Sequence, residues 1–481
     1  MISRKIRRGI AWPRNWQAGT EWWRRITPPQ LFVGSFLGLI AFGTLGLMTI
    51  PGLYTGPGLG FVDALFTATS AVCVTGLVVV DTGTYFTRAG QAFLLLLIQL
   101  GGLGFITLTT LIILALGRRL SLRQERVAGA GTELSPAVNV RGLTRDVVRF
   151  TLLFEALGAA LLYLAWAPGM GVTAAIWPAV FHAVSAFCNA GFSIFADSLV
   201  GTRLQVLPMF TIMCLIVVGG LGFLTMEELY LRRKSRRMRH RRVTDELVPR
   251  LSLHSRLVLV TTAILIGVGA VFFTIYEWHL SFAMLPAWAR PMNGLFMAVT
   301  ARTAGFNTID YAATADGTSF LTILLMFIGG SPGSMAGGVK TTTIAVIGLL
   351  ALSRLRGSTR TSAFGRTVPE ETVQRAVGLF VVAFGIVTMA IFLFTTTELG
   401  AVPHNAVQGE FLRLMFEAVS AFSTVGLSMG MTDELTTTGR LLTTLLMYIG
   451  RVGPLTFAAA IAMRPDRRGD FRYAHEDVVI G

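Results

Sequence analysis

The chain has 481 residues, of which 53% are hydrophobic and only 14% charged, a balance that excludes an ordinary soluble globular protein of this length. The formal charge of +15 does not signal a nucleic-acid partner, because the basic residues lie between or outside long apolar runs instead of forming a separate domain. The composition is that of a membrane protein.

Seven Lys and Arg residues precede the first apolar run, and their charges continue to Arg25 with no small-residue cleavage site after that run, so a cleavable signal peptide is not expected. Trp22, Trp23, Arg24 and Arg25 suit an interfacial anchor. Apolar runs follow at 31–62, 89–117, 150–167, 205–226, 257–276, 318–339, 376–397 and 441–463, each close to or above the roughly 20 residues that cross a bilayer as a helix. Glu155 interrupts the third and Arg451 the last. Eight spans leave both termini on one side. Of the 41 Lys and Arg residues, seven lie between 118 and 149, ten between 232 and 256, five between 354 and 375 and four after 463. The positive-inside rule makes these segments and both termini cytoplasmic, in the plasma membrane. The densest, RRKSRRMRHRR at 232–242, joins two spans and attracts anionic lipid as a by-product.

Cys73, Cys188 and Cys214 fall in apolar surroundings, and the six histidines are scattered, so neither a disulfide framework nor a zinc site is indicated. No nucleophile with a base, paired catalytic carboxylates or phosphate loop is found, and no organic cofactor is expected. The chain does not read as an enzyme.

One unit is written four times. SAVCVTGL ends its motif at Gly76, SAFCNAGF at Gly191, TARTAGF at Gly305 and SAFSTVGL at Gly426, at intervals of 115, 114 and 121 residues. A second glycine landmark, at Gly101, Gly219, Gly329 and Gly450, follows 25, 28, 24 and 24 residues later. Each unit reads as a span, a short apolar segment such as Phe61 to Ala71 or Trp177 to Phe187, and a second span. The short segments reach about half a bilayer and must re-enter. The predicted organisation is a segment 1–30, pore repeats at 31–117, 148–231, 257–352 and 375–463, cytoplasmic loops at 118–147, 232–256 and 353–374, and a tail 464–481.

Non-helical backbone at membrane depth is tolerated where it is buried in protein or lines a watery cavity. A cation in a narrow pore exchanges its hydration shell for protein oxygens, and a ring of backbone carbonyls supplies them. Glycine permits the required turn and the close approach of four backbones. A half-helix before each turn aims the negative end of its dipole at the axis. Taken singly, each motif is equally a glycine at a helix kink or contact; four copies in one register point to a pore.

The segments TSAVCVTGL, VSAFCNAGF, TARTAGFNTID and VSAFSTVGLSMG resemble, in order, the four selectivity-filter segments of the KtrB/TrkH superfamily of potassium transporters, and GGSPGSMAGGVKTTT resembles the broken helix of its third repeat. The resemblance runs from about residue 31 to 463 and is closest to the KtrB branch, because Lys340-Thr341-Thr342-Thr343 follows the glycines directly. It implies an all-α membrane fold of four span, pore-helix, span repeats with pseudo-fourfold symmetry around a single ion pore. It also implies a homodimer and a KtrA-like cytoplasmic nucleotide-binding ring. Carried over by position, the potassium filter is Val74, Thr75 and Gly76; Asn189, Ala190 and Gly191; Thr303, Ala304 and Gly305; and Thr424, Val425 and Gly426. Sodium-carrying plant relatives replace the first filter glycine with serine, so Gly76 favours potassium. Sodium, as activator, coupled ion or permeant, remains the alternative within the family. An organic-substrate carrier is disfavoured because its usual repeats are inverted, whereas these units run in parallel.

The third repeat gathers Gly329, Gly330, Ser331, Pro332, Gly333, Ser334, Gly337 and Gly338, which should break its second helix. The resemblance makes Gly330, Ser331, Pro332, Gly333 and Ser334 part of an intramembrane gate. Arg451 occupies the slot of Gly102, Gly220 and Gly330; an arginine at this depth faces an aqueous path or a partner, and it is expected to bond the loop and limit leak. Arg302 is expected behind the filter, and Glu155 is a partner for it or for another cation. Lys340 is expected near the cytoplasmic end of the broken helix, with a stem long enough to snorkel.

Overall fold

Four helices are apolar on nearly every side over most of their length. Pro28–Thr49, Val140–Met170, Leu253–Tyr276 and Glu370–Phe394 bury only 22–33% of their most apolar stretches, and side chains such as Leu45, Leu153, Ile275 and Phe392 point away from the protein. Such a surface suits lipid. These are the outer spans, one for each repeat, in a computed structural model that describes residues 28–115, 140–240, 251–403 and 406–453. The interfacial anchor at Trp22–Arg25, most of the loop 118–147, part of the basic loop 232–256 and the tail 464–481 lie outside the described residues.

After each outer span comes a short helix: Phe61–Cys73, Ile176–Phe187, Ala289–Thr300 and Glu410–Ser423. Their 12 to 14 residues measure roughly 18 to 21 Å at 1.5 Å per residue, too short to cross. All four carry one pattern, FTATS, FHAVS, FMAVT and FEAVS, beginning at Phe66, Phe181, Phe296 and Phe416. The four phenylalanines are fully buried, so each pore helix is wedged into the centre by the same aromatic anchor. The hydroxyl that closes the pattern serves the turn below.

The inner spans are Arg88–Ala115, Val206–Gly220 with Phe223–His240, Asp316–Phe327 with Thr341–Leu355, and Thr437–Val452. A break is expected from the sequence in the third repeat. The structure places a left-handed glycine at the corresponding point of all four: Gly104 (φ 68°), Gly222 (φ 85°), Gly333 (φ 69°) and Gly453 (φ 91°). In the first repeat this is a kink, in the second the halves bend by 101°, and in the fourth the helix ends there. The physical cause is local: a glycine free to take positive φ follows three or four residues after the packing glycine in each repeat.

Gly101, Gly219 and Gly450 explain why that packing position is glycine. A Cβ at each would strike the carbonyl oxygen of Val72, Phe187 or Phe422, in the last turn of the pore helix. The inner span is therefore the seat on which the pore helix ends.

The repeats close into a ring in chain order. Trp177 Nε1 donates to Gln91 Oε1 at 2.7 Å, joining the second repeat to the first. Asn293 Nδ2 donates to the Arg203 carbonyl at 3.1 Å, joining the third to the second. Tyr311 and Phe416 pack with ring centroids 5.5 Å apart, joining the third and fourth. Arg440 Nη1 and Asp63 Oδ1, 2.7 Å apart, join the fourth to the first. The result is an all-α membrane fold around one axis; among the described residues the only paired strands are Ser362–Ala363 and Arg366–Thr367.

Candidate ion pathway

One to three residues beyond each pore helix a residue is held in the left-handed region: Val74 (φ 59°), Asn189 (φ 58°), Thr303 (φ 66°) and Thr424 (φ 50°). None is glycine, and a β-branched residue there costs on the order of 1–3 kcal/mol. Three of the four turns are held by the paired bonds of a Schellman cap: Thr75 N to Ser70 O at 2.8 Å with Val74 N to Ala71 O at 3.2 Å, and the equivalent pairs at Ala190 and Asn189 and at Val425 and Thr424. The third repeat reaches its glycine one residue sooner, and Ala304 N bonds Thr300 O at 3.0 Å instead.

The pattern's closing hydroxyl ties the far side of the turn. Ser70 Oγ and Ser420 Oγ accept from Gly76 N and Gly426 N, each at 3.1 Å. Ser185 Oγ and Thr300 Oγ1 donate to the carbonyls of Phe192 and Phe306, at 2.7 and 2.6 Å. These four hydroxyls hold the turns that follow the pore helices, a role not assigned from the sequence although their F-x-A-x-S/T frame repeats four times.

The four glycines have positive φ, from 71° at Gly191 to 95° at Gly76, and they meet. A Cβ built on Gly76 would lie 2.5 Å from the Ala190 carbonyl oxygen, one on Gly191 2.9 Å from that of Ala304, and one on Gly305 2.5 Å from that of Val425. One on Gly426 would strike the Thr75 carbonyl oxygen. The chain of contacts runs from repeat one through four and back to one, so the carbonyls of Thr75, Ala190, Ala304 and Val425 lie beside the glycines of the neighbouring repeats. The hydroxyls of Thr75, Thr303 and Thr424 are buried here with no hydrogen-bond partner among the described residues. Asn189 differs: with its amide turned so that the nitrogen faces the Ile216 and Ala186 carbonyls, it donates to both at 3.2 Å.

All four glycines border one cavity of about 740 Å³. Its wall also holds one aspartate from each repeat, Asp81, Asp197, Asp310 and Asp433, against a single cation, Arg203. The arrangement favours cations over anions before any dehydration.

On the opposite side of the ring lies the loop between Phe327 and Thr341, closed on itself where Gly329 N donates to Val339 O at 2.9 Å and Thr341 N to Gly330 O at 3.0 Å. It docks on the broken helix of the second repeat: Ser331 N donates to Gly220 O at 3.0 Å, Met335 N to Gly219 O at 3.2 Å, and Phe223 N to Gly333 O at 3.1 Å. Ser331 Oγ and Thr341 Oγ1 are 3.1 Å apart, while Ser334 Oγ accepts from Ala336 N at 3.2 Å. Pro332, having no N–H, leaves no donor unpaired here. Gly337 abuts Thr424, where a Cβ would strike the Thr424 hydroxyl. Arg451 spans the gap between this loop and the first repeat, donating to the Met335 carbonyl through Nη1 and to the Gly101 carbonyl through Nη2 at 2.7 Å.

The other buried charges settle differently. Arg302 is buried, and its Nη2 lies 3.4 Å from the carbonyl of Gly329, at the start of the loop. Glu155 is not its partner: it accepts from Gln99 Nε2 at 3.3 Å and faces Cys188 Sγ. Lys340 does not snorkel, because the adjacent loop offers a nearer acceptor; its Nζ donates back to the Ala336 carbonyl at 2.7 Å.

The family model described as a cation transport protein, TrkH, matches residues 34–468. The chain belongs to the TrkH family. Its similarity to Ktr system potassium uptake protein B of Vibrio alginolyticus is 38% identity over 91% of this chain and 92% of that protein, and to the Bacillus subtilis protein of the same name 37% over 95% and 98%. The potassium/sodium uptake protein NtpJ of Enterococcus hirae is 36% identical over 95% and 98%. The crystal structure of the potassium transporter TrkH from Vibrio parahaemolyticus shares the fold, with a TM-score of 0.68, 17% identity and coverage of 89% and 83%. The TrkH family assignment makes this chain a multi-pass membrane transporter of cations and not an enzyme.

Proposed function

We propose that the chain takes up potassium through the glycine ring and that the loop 328–340, with Arg451, gates it. The observation that carries the reading is the closed contact of Gly76, Gly191, Gly305 and Gly426, each beside a carbonyl of the neighbouring repeat, at the floor of one acidic cavity. The potassium filter is then Val74 to Gly76, Asn189 to Gly191, Thr303 to Gly305 and Thr424 to Gly426. Carbonyl oxygens replace the hydration shell of a monovalent ion, and four pore helices turn the negative ends of their dipoles toward it. The unpartnered hydroxyls of Thr75, Thr303 and Thr424 suit a polar, ion-holding centre and would be costly in a dry core. Uptake is driven by the membrane potential, about 2.3 kcal/mol per charge for each 100 mV.

Gly330, Ser331, Pro332, Gly333 and Ser334 form the part of the gate that rests on the second repeat, and Arg451 holds it from the fourth. The protein lies in the plasma membrane with cytoplasmic termini. It works as a homodimer on a KtrA-like nucleotide-binding ring; similarity to Ktr system potassium uptake protein B supports a partnered system.

Complementation of a potassium-uptake-deficient strain at low potassium, with and without a KtrA-like subunit, tests this. Growth dependent on the chain is expected, enhanced by the subunit; no growth in either arm overturns it. The second reading, sodium permeation, is favoured by the similarity to a potassium/sodium uptake protein. It predicts comparable sodium and rubidium fluxes in the native chain. If potassium is preferred, Gly76→Ser should raise the sodium-to-rubidium ratio several-fold, since a Cβ there meets the Ala190 carbonyl at 2.5 Å and distorts the ring. An unchanged ratio would remove Gly76 from selectivity.

A further inference from the structure

The pore helices of the second and fourth repeats each bury an ionisable side chain in the same register, three residues before the hydroxyl that closes the F-x-A-x-S/T pattern. These are His182 and Glu417, both fully buried. The first and third repeats carry Thr67 and Met297 there. Neither His182 nor Glu417 lies in a filter turn or on the loop, yet both reach the same point, the residue two beyond the filter glycine. His182 Nε2 lies 2.9 Å from Ser193 Oγ. Glu417 Oε2 accepts from Ser428 Oγ at 2.9 Å, and Oε1 from Thr432 Oγ1 at 2.6 Å.

Proton accounting fixes the direction of these bonds. The Pro178 carbonyl, 2.8 Å from His182 Nδ1, can only accept, so Nδ1 carries the proton and the neutral ring accepts at Nε2. A serine hydroxyl has one proton and two lone pairs. The Ser193 proton goes to His182, its alternative acceptor, the Ser198 carbonyl, being farther at 3.3 Å. The Ser428 proton goes to the carboxylate. One lone pair of each serine takes a backbone N–H, from Phe195 at 3.0 Å and from Met431 at 3.2 Å. The Thr432 hydroxyl, 3.1 Å from Ser428 Oγ, gives its one proton to the nearer Glu417 Oε1, so each serine oxygen is left with one unclaimed lone pair, and both serines line the cavity immediately outside the glycine ring.

We infer that Ser193 and Ser428 form an outer cation subsite. Two hydroxyl oxygens from opposite repeats are turned lone pair first toward the cavity by His182 and Glu417, and they replace water on a monovalent ion before it meets the backbone ring. His182 and Glu417 are positioning residues; the serines touch the ion. The repeats that lack the buried acceptor also lack the serine, having Val78 and Asn307 at that point. The inference rests on the proposed potassium pathway and adds a specific pair of ligands to it.

The test is rubidium uptake by proteoliposomes of the full-length protein, resolved into KM and maximal rate, for wild type, Ser428→Ala, Ser193→Ala, Glu417→Gln and the Glu417→Gln/Ser428→Ala pair. Losing one such oxygen should raise KM by about three- to tenfold with the maximal rate nearly unchanged. Glu417→Gln should do the same, because its amide donates where the carboxylate accepted and turns one hydroxyl around. The double variant should be no worse than Ser428→Ala alone. An unchanged KM in Ser428→Ala, or additive effects in the double variant, overturns the subsite. Should Glu417→Gln not reach the membrane, the two serine variants decide, since each removes a single oxygen. If wild-type vesicles take up no rubidium, the potassium reading falls, and the subsite is then judged by potassium-dependent thermal stabilisation of the purified protein. A midpoint at least threefold higher in Ser428→Ala supports it, and equal midpoints overturn it.

Discussion

The glycine ring and the loop beneath it touch at Thr424, yet they differ in how many repeats build them. At the ring every repeat supplies the same parts: a buried phenylalanine, a hydroxyl four residues on, a left-handed residue at the helix end and a glycine against the next repeat's carbonyl. Below it, only the third repeat supplies the loop. The second offers backbone carbonyls at Gly219 and Gly220, and the fourth offers Arg451. An ion surrounded by oxygens needs equal partners on all sides. The proposed gate needs a segment able to take two arrangements, and a single unequal loop held by a few bonds to its neighbours suits that need.

The strongest way to break this comparison is at the ring. Gly426→Ala places a Cβ on the Thr75 carbonyl and asks alanine for a φ of 91°. The left-handed backbone alone costs about 1–2 kcal/mol, and the displaced carbonyl removes an oxygen from the ring. Rubidium uptake should fall by at least about a hundredfold in vesicles containing normal amounts of protein. Retention of more than a tenth of the native rate would show that the contact seen here is not part of the conducting path.

The loop should respond in the opposite sense. Arg451→Ala removes the donors to the Met335 and Gly101 carbonyls, and deletion of Ser331 to Gly337 removes the loop's contacts with Gly219 and Gly220. Either change should raise rubidium flux by about tenfold, the change expected from charge-assisted bonds worth roughly 1.4 kcal/mol. The comparison sharpens if both variants also lose their dependence on a KtrA-like subunit. Equal or lower flux at normal expression would make Arg451 a structural tie alone.

The contrast also explains what could be read from the chain. Fourfold architecture was legible because two glycine landmarks repeat in phase, and glycine is the residue that a close backbone approach demands, as Gly101 against Val72 and Gly426 against Thr75 illustrate. The breaks at Gly104 and Gly222 were not legible because glycines in an apolar span are also ordinary packing residues; neither repeat adds a proline there, whereas the third has Pro332 and the fourth Pro454. The hydroxyls of Ser70, Ser185, Thr300 and Ser420 were visible as a pattern, but their bonds to residues six or seven positions away depend on how the turn folds. The partners of Arg302, Glu155 and Lys340 were not legible at all. Each is set by which repeat packs against which, and in every case a backbone carbonyl or an amide was nearer than the opposite charge.

The acidic cavity occupies a middle ground, fourfold like the ring but tolerant like a surface. Asp81, Asp197 and Asp310 each accept a backbone N–H in a short turn, from Gly83 at 2.7 Å, Gly201 at 2.8 Å and Ala312 at 2.9 Å. Asparagine caps nearly as well, so Asp→Asn at these positions removes charge while keeping the turn. A unit charge about 10 Å from a cation in water is worth about 0.4 kcal/mol, roughly a twofold change. Asp310→Asn should therefore raise the rubidium KM about twofold at low ionic strength. The difference should vanish near 1 M choline chloride, where the screening length is about 3 Å. The salt dependence separates the two kinds of fourfold symmetry: a ligand of the ring keeps its effect at any ionic strength, whereas a focusing charge loses it. A KM shift that persists in high salt would move Asp310 from the field of the cavity into direct contact with the ion.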